Sequence, residues 1–337
     1  MADAKKSDLV TIIIPVYNVY DYLERCVSSV LGQTHRHLQI ILINDGSTDD
    51  SGKLCDELAS EHTQIETIHR KNGGSSAARN TGLDRVRGQW ITFIDSDDYV
   101  SSRFIEESLD ACLQHGADIA VSRFLLDFSG MLSDGDFRMA SHHECITGRE
   151  AVIRHFGKDA QILNPAGGKL CRASLWTTLR FPQGKVVEDV FISHELFHSA
   201  CRVVILDSAL YAYFQSSDSI MRKPFSLERL DALDAWMEGI RFLKRAGDRE
   251  LLDIAHRVYC NRLIDAYGLC KKHLPKEHTI HIKLHSQIIE EYRVVKHVRA
   301  YIDMPKSKLI LYRCKQRVGR YFPLLYSAIF LQKRTYI

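Results

Sequence analysis

The sequence lacks the features that mark membrane-spanning, secreted or disulfide-linked proteins. No apolar run comes near the roughly 18 residues that a transmembrane helix needs, and the opening segment, MADAKKSDLV, contains no apolar leader. The nine cysteines are spread singly, with no C-x-x-C pair, which favours reduced thiols over disulfides or a four-cysteine zinc site. Together these absences predict a cytoplasmic protein.

The composition excludes several further classes. The 337 residues are 45% apolar and 26% charged, which is ordinary for a globular chain and is enough for one large domain or two smaller ones. Disordered, collagen-like and low-complexity proteins have different compositions. We therefore expect a folded protein with a sizeable core.

Charge is distributed unevenly along the chain. Residues 293–337 contain eleven lysines or arginines and one acid, a net charge of +10, although the whole chain carries only +3. The preceding 292 residues therefore carry −7. A basic tail of this kind favours an anionic partner, either a membrane surface or a nucleic acid.

Short apolar segments alternate with helical patterns over the first hundred residues. Strands are predicted at 10–14, 38–43, 65–69 and 90–94, with helices between them at 20–33, 50–61 and 75–86. This alternation predicts an α/β fold with a parallel sheet and helices on both faces. Ligands of such sheets bind beyond the carboxyl ends of the strands.

The rest of the chain is less regular. A strand is predicted at 118–128, a strand pair at 203–206 and 209–214, and helices at 227–246, 251–272 and 280–300. The pattern changes from mixed to helical around Pro224, which predicts a domain boundary near residue 221.

Each of the first four predicted strands is followed by a polar cluster. The clusters are IPVYN at 14–18, NDGSTDD at 44–50, RKNGGSSAARN at 70–80 and DSDD at 95–98. Taken singly, each has a plain structural interpretation, because Asp-Gly and Gly-Gly-Ser are common in turns and caps, and a second Asp-x-Asp occurs at 134–136. Their common position at strand ends favours one shared site.

The residue types in these clusters suit a nucleotide, its phosphates and a metal ion. Tyr17 can stack on a planar base, and Asp45 can accept a hydrogen bond from a ring N–H. Gly74 permits close backbone approach, and the helix after it favours a diphosphate at its N-terminus. Arg79 adds a fixed positive charge. The two carboxylates of 95–97 suit a hard divalent cation that bridges two phosphates.

The first hundred residues resemble the nucleotide-sugar-binding half of family 2 glycosyltransferases. The resemblance is carried, in order, by TIIIPVYN, IILINDGSTDDS, KNGGSSAARNTGL and WITFIDSDDYV. Three later blocks, GKLCRASLW, FPQGKVVEDVFISHELF and YAYFQSSDSI, resemble the acceptor side of bacterial members that build capsular, exo- or cell-wall polysaccharides. The resemblance covers about residues 8–221.

This resemblance implies a fold and an activity. The fold is the α/β GT-A fold, with a Rossmann-like mixed sheet flanked by helices, followed by a helical C-terminal region. Residues 1–221 would form the catalytic domain, with a nucleotide-sugar-binding half at 8–100 and an acceptor-side half at 101–221, and 222–337 the helical region. The activity is transfer of a sugar from a UDP-sugar to a carbohydrate, with inversion, in surface polysaccharide biosynthesis.

The resemblance also implies roles for individual residues. Those expected around the donor and its metal ion, Mn²⁺ or Mg²⁺, are Pro15, Tyr17 and Asn18 for the nucleoside, Asp45 for the uracil, Asn72, Gly74 and Arg79 for the diphosphate, Asp95 and Ser96 for the ribose, and Asp97 for the metal. Those expected on the acceptor side are Lys169 and Gln215, with Asp189 as the catalytic base beside Glu188. Without the resemblance, Glu188-Asp189 is an acidic pair typical of a helix start.

Two positions depart from the family pattern. Many relatives carry arginine where this chain has Phe214, which leaves open what replaces it near the phosphates. Many also carry asparagine before the lysine where this chain has Gly168 before Lys169, which leaves a donor-sugar or acceptor contact open.

One motif points to a different chemistry. His194-Glu195-x-x-His198 matches the H-E-x-x-H pattern of zinc proteases, in which two histidines one helical turn apart share a metal. No G-x-x-H follows it, and no later helix offers an obvious third ligand, because a strand pair comes next. A zinc hydrolase is therefore the remote alternative, and a non-catalytic nucleotide-sugar sensor or scaffold is the nearer one.

The basic tail bears on partners and location. Its segment 321–331 is apolar and aromatic between basic clusters, which suits attachment to an anionic membrane surface through about 306–337. The alternative is that these apolar residues pack on the preceding helices. Nucleic acid is disfavoured because no recognition motif accompanies the charge. We therefore expect a peripheral protein of the inner membrane face with a saccharide acceptor linked to lipid.

Overall fold

The computed structural model describes residues 8–215 and 225–295. The chain divides into two compact units, Met1–Ser219 and Ile220–Ile337. The domain boundary predicted after residue 221 and the basic tail at 306–337 lie outside the described residues, so both stay predictions.

The first unit is built on one mixed sheet. Its strands are β1 (Val10–Val16), β2 (Leu38–Asn44), β3 (Ile65–His69), β4 (Trp90–Phe93), β5 (Tyr99–Val100), β6 (Ile119–Asp127), β7 (His143–Thr147), β8 (Lys169–Arg172) and β9 (Arg202–Phe214). Their order is β3-β2-β1-β4-β8-β6-β9-β5, and β7 pairs with β9. The predicted parallel sheet is confirmed for β1 to β4, whereas β8, β7 and β5 run antiparallel to their partners.

Helices of the first unit connect these strands. They are α1 (Tyr20–Leu31), α2 (Ser51–Glu61), α3 (Ser75–Leu83), α4 (Phe104–His115), α5 (Gly148–His155), α6 (Ala160–Leu163) and α7 (Glu188–Ser199). All seven residues of β2 are buried, and β1 is buried except for a partly exposed Pro15. Their β-branched runs form central strands covered on both faces, so the sheet is a rigid support for the loops at its edge.

The predicted strand pair at 203–206 and 209–214 is wrong, because β9 runs unbroken through both. The Asp207-Ser208 dipeptide suggested a turn, but Ser208 is fully buried and its hydroxyl bonds both the N–H and the C=O of Ala140, at 2.9 and 3.0 Å. These bonds satisfy the polar side chain within the extended strand. Sequence alone did not show this distant partner.

The described part of the second unit is helical. It contains α8 (Asp231–Ala246), α9 (Arg249–His273) and α10 (His278–Val295), and α9 packs against both of the others. The Asp248 side chain accepts a hydrogen bond from the backbone N–H of Leu251 and caps α9. None of the helices in the described ranges combines the length and apolarity that crossing a membrane requires.

Candidate active site

The polar clusters predicted from the sequence lie at the carboxyl ends of the parallel strands. Asn18, directly after β1, adopts a positive φ of 51° and accepts a hydrogen bond from the backbone N–H of Thr48 at 2.8 Å. Its own N–H donates to the Ser47 hydroxyl at 3.2 Å. Asn18 therefore ties the β1 and β2 loops together. Pro15 is the sixth residue of β1, and Tyr17 is 48% exposed, which makes it accessible to a ligand.

Asp45 fastens the loop after β3 to the end of β2. It is 2% exposed, forms an ion pair with Arg70, and accepts hydrogen bonds from the backbone N–H groups of Gly73 and Gly74, at 2.7 Å in the second case. The adjacent Gly46 has a φ of 73°, and a Cβ there would stand 2.8 Å from the backbone nitrogen of Asn72, so the close approach requires glycine. The predicted uracil contact by Asp45 stays a prediction.

Arg79 joins three elements of the first unit. Its buried guanidinium, in the second turn of α3, donates to Asp95 at 2.7 Å and forms a second ion pair with Glu188 at the start of α7. The Ser75 hydroxyl, in the first turn of α3, also donates to Glu188, at 2.6 Å. The two carboxylates hold the pKa of Arg79 above its usual range, although burial opposes them. The α3 N-terminus, the β4 end and α7 thus meet at one point.

The three aspartates after β4 are in different environments. Asp95 pairs with Arg79, while Asp98 is buried and accepts a hydrogen bond from the Phe214 N–H at 2.8 Å. Burial and the Asp95 charge raise the pKa of Asp97 to about 6. No ion pair to Asp97 occurs among the described residues. Ser96 between them is buried.

Asp95 and Asp97 fit a divalent cation whose coordination shell is completed by oxygen atoms of the substrate. No group of three or more His, Cys, Asp or Glu side chains within 8–215 and 225–295 is arranged to hold a metal alone. The carboxylates of Asp95 and Asp97 are hard oxygen donors, and burial, with the Asp95 charge second, raises the pKa of Asp97. Mg²⁺ and similar ions are bound in many proteins by one or two carboxylates together with phosphate oxygens.

Asp189 lies in the first turn of α7, next to the carboxylate that binds Arg79. Burial, with the Glu188 charge second, raises its pKa to about 6, which is close to the value that suits a general base near neutral pH. The preceding Val187 is in the left-handed region at φ 58°, a strained conformation for a β-branched residue. Strain held at this position is typical of functional sites.

The predicted acceptor-side residues are placed differently from one another. Lys169 is 3% exposed, its ammonium donates to the Pro165 carbonyl, and burial lowers its pKa to about 8. It lines a small cavity together with Asp189, so its ammonium is buried rather than exposed at the surface. Gln215, at the end of the described segment, donates its backbone N–H to Asp127 at 2.7 Å. An acceptor contact by either side chain stays a prediction.

The H-E-x-x-H segment lies on α7, but its two histidines differ in environment. His194 is 2% exposed, whereas His198 is exposed. The described residues contain no three-ligand metal group that would include them.

Sequence reasoning missed two arginines of this region. Arg70 follows β3 inside the third cluster and forms an ion pair with Asp45, so its position was a usable signal. Arg25 lies in the middle of α1, and its side chain donates to the backbone carbonyl of Asp97 at 2.7 Å. Nothing in the local sequence of α1 marks Arg25 as part of the site.

Known proteins resemble this chain in sequence and in fold. The model of Glycosyl transferase family 2 matches residues 11–162. The glycosyltransferase GlyG of Streptococcus pneumoniae serotype 4 is 30% identical over 236 residues, which cover 66% of this chain and 75% of GlyG. The glycosyltransferase GlyA of the same strain is 34% identical over 248 residues, covering 71% of this chain. The match spans only 35% of GlyA, so that relative is much longer.

A solved structure agrees with the fold. The crystal structure of S. aureus TarS 1-349 in complex with UDP-GlcNAc superposes with a TM-score of 0.71 at 17% identity, covering 95% of this chain and 91% of that one. At this identity the likeness concerns the fold alone, and it confirms the GT-A fold predicted from the sequence. The fold and the strand-end site define a glycosyltransferase of the GT-A class. Within that class, the chain belongs to glycosyl transferase family 2.

Proposed function

We propose that this protein transfers a sugar from a UDP-sugar to a hydroxyl of a carbohydrate acceptor, with inversion at the anomeric carbon. The observation that carries the proposal is the double ion pair of Arg79, with Asp95 on the donor side and with Glu188 beside the proposed base Asp189. Donor-binding and acceptor-activating groups are thereby adjacent. The similarity to TarS, solved with UDP-GlcNAc, supports a UDP-sugar as the donor class.

The donor side would act by holding and neutralising the diphosphate. Arg79 and Ser75, at the N-terminus of α3, both contact Glu188, and a guanidinium and a helix N-terminus both favour negative charge. Asp97, with Asp95, would hold a Mn²⁺ or Mg²⁺ ion. When bound, this ion supplies electrostatic stabilisation of the departing UDP.

The acceptor side would act through Asp189. Its carboxylate would take the proton of the acceptor hydroxyl as that oxygen attacks the face of the anomeric carbon opposite to the leaving UDP. One displacement of this kind inverts the configuration and needs no covalent enzyme intermediate. Glu188, the residue before Asp189, instead forms an ion pair with Arg79.

The acceptor and the location belong to the same proposal. We expect a saccharide linked to lipid, in surface polysaccharide biosynthesis, and a protein held on the inner membrane face by its basic tail. The +10 net charge of residues 293–337 supports attachment to an anionic surface.

A panel of UDP-sugars tests the proposed reaction. Purified full-length protein is incubated with each sugar in Mn²⁺ or Mg²⁺, with or without chelator, and released UDP is measured. We expect release from at least one UDP-sugar, lost with chelator. Binding of UDP-sugars without any release, even with saccharide acceptors present, would instead indicate the non-catalytic sensor.

A further inference from the structure

The Arg25 side chain contacts the proposed metal-binding turn, residues 95–98. One of its terminal nitrogens, Nη2, donates to the backbone carbonyl of Asp97 at 2.7 Å. The other, Nη1, donates to the carbonyl of Gly130 at 2.9 Å, in the loop after β6. One guanidinium thus joins α1, the turn after β4 and the loop after β6, which are distant in sequence.

Three aromatic rings surround this guanidinium, and the nearer two are those of Tyr99 and Phe214. Its central carbon is 4.5 Å from the ring centre of Tyr99 and 4.6 Å from that of Phe214, within the range of cation–π attraction. The Tyr99 hydroxyl is itself fixed by a 2.5 Å hydrogen bond to Asp127. The planar, forked guanidinium fits between rings and carbonyls in one orientation. Phe214 therefore contributes a ring that supports Arg25.

The turn after β4 is thereby fixed at consecutive residues. The Asp98 carboxylate accepts the Phe214 N–H at 2.8 Å, and the Asp97 carbonyl accepts from Arg25. The Asp98 N–H closes the turn on the Asp95 carbonyl at 3.0 Å. These hydrogen bonds constrain the backbone around Asp97. The constrained backbone in turn restricts the position of the Asp97 carboxylate.

The geometry points to Arg25 as a positioning residue that orients Asp97 for a divalent cation at the donor diphosphate. This inference rests on the proposed function, because that proposal assigns the metal to Asp97. Arg25 reaches Asp97 through the backbone carbonyl of that residue. Outer-shell partners of metal ligands contribute roughly 10–100-fold to metal affinity or activity.

Three variants of the full-length protein test the role. Arg25→Met removes the guanidinium but keeps an unbranched side chain, and Arg25→Lys keeps the charge but loses the fork. Arg36→Met is the matched control, because Arg36 is exposed and, within 8–215 and 225–295, its side chain donates only to the Leu31 carbonyl, at 3.3 Å. Mn²⁺ binding to each protein with UDP present is measured by electron paramagnetic resonance. Amide hydrogen exchange at Asp98 is measured without metal.

We expect Arg25→Met to weaken Mn²⁺ binding by roughly 10–100-fold and to speed exchange at Asp98, with UDP binding in chelator unchanged. Arg25→Lys should restore the affinity only in part, and Arg36→Met should match the wild type. Wild-type Mn²⁺ affinity and exchange in a folded Arg25→Met protein would overturn the inference, as would full restoration by lysine. If the wild type binds no Mn²⁺ with UDP, the metal assignment of the proposed function fails, while the exchange measurement still decides whether Arg25 holds the turn.

Discussion

At the scale of single residues, Asp97 differs from its neighbours in what its carboxylate contacts. Asp95 is paired with Arg79 and Asp98 is bonded to the Phe214 N–H, whereas burial and the Asp95 charge leave Asp97 with a pKa of about 6. Asp97 is therefore the carboxylate best placed to gain from a cation. The three aspartates of the DSDD segment could not be distinguished in this way from the sequence, because their partners come from distant elements.

Asp97→Asn should abolish metal-dependent UDP release while the fold survives. The amide keeps the shape but loses the negative charge that a cation requires. Asp136→Asn is the control, since Asp136 belongs to the other Asp-x-Asp and bonds only its neighbour Ser133 among the described residues. Near-normal, chelator-sensitive release by the Asp97→Asn protein would assign the metal to another residue.

Asp189→Asn should keep donor binding and lose sugar transfer. The amide cannot accept the acceptor proton, so the loss should be roughly 10²–10⁴-fold in turnover. Glu195→Gln, two helical turns along α7, is the control, and it also removes the base that a zinc hydrolase would need. Transfer within a few-fold of wild type in Asp189→Asn would move the base elsewhere, with Glu188 as the next candidate.

The pH dependence of transfer should include the ionisation of Asp189, together with that of Asp97, whose pKa is also raised to about 6. Because a base must be ionised, kcat/KM should fall as pH drops through about 6, the pKa to which burial raises Asp189. The raised pKa also means that ionising Asp189 costs stability, increasingly as pH rises from the unfolded value of about 3.9 through 6. Asp189→Asn should thus be at least as heat-stable as wild type at neutral pH. A value of kcat/KM that does not change across pH 6 would contradict this assignment.

At the scale of elements, the sequence predicted the strands β1 to β4 closely, because each is a short apolar run bounded by turn residues. The positions of the site followed from the strand ends. What could not be predicted is the contact between Arg79 and Glu188, which are 109 residues apart, or the continuity of β9 through Ser208. Both depend on side-chain partners that only tertiary packing brings together.

The packing of α3 on β1 positions Arg79 and can be tested at Gly82. A Cβ at Gly82 would lie 2.5 Å from the Cγ2 atom of the fully buried Ile13, so the helix or strand would have to move. Gly82→Ala should lower the free energy of unfolding by about 1–3 kcal/mol, measured by denaturant titration, and weaken UDP binding.

Gly157→Ala is the matched control for this packing. A Cβ there meets its nearest atoms at 3.7 Å, which is ordinary contact. We expect a change within about 0.5 kcal/mol. Equal effects of the two substitutions would show that α3 does not depend on close approach to β1.

At the scale of the whole molecule, the C-terminal tail is basic and the rest of the chain carries a net negative charge. Residues 293–337 carry +10 against −7 elsewhere, and apolar and aromatic residues lie between the basic clusters at 321–331. Such a segment can bind lipid headgroups without a membrane-spanning helix.

The full-length protein should bind vesicles that contain anionic lipid and dissociate as salt increases. Changing Arg313, Lys315, Arg317 and Arg320 to glutamine should weaken binding by at least about tenfold, since each charge contributes roughly 1 kcal/mol. UDP release should be unchanged, and vesicles of neutral lipid should bind neither protein. If wild-type protein ignores anionic vesicles at low salt, attachment through the tail must be abandoned.

The most direct test of the central claim is the anomeric configuration of the first product. Full-length protein is mixed with the UDP-sugar that the panel identifies and a saccharide acceptor, and the new glycosidic linkage is followed by proton nuclear magnetic resonance. An α-linked donor should give a β-linked product from wild type, formed roughly 10²–10⁴-fold more slowly by Asp189→Asn. An α-linked product, or transfer that does not depend on Asp189, would contradict the account.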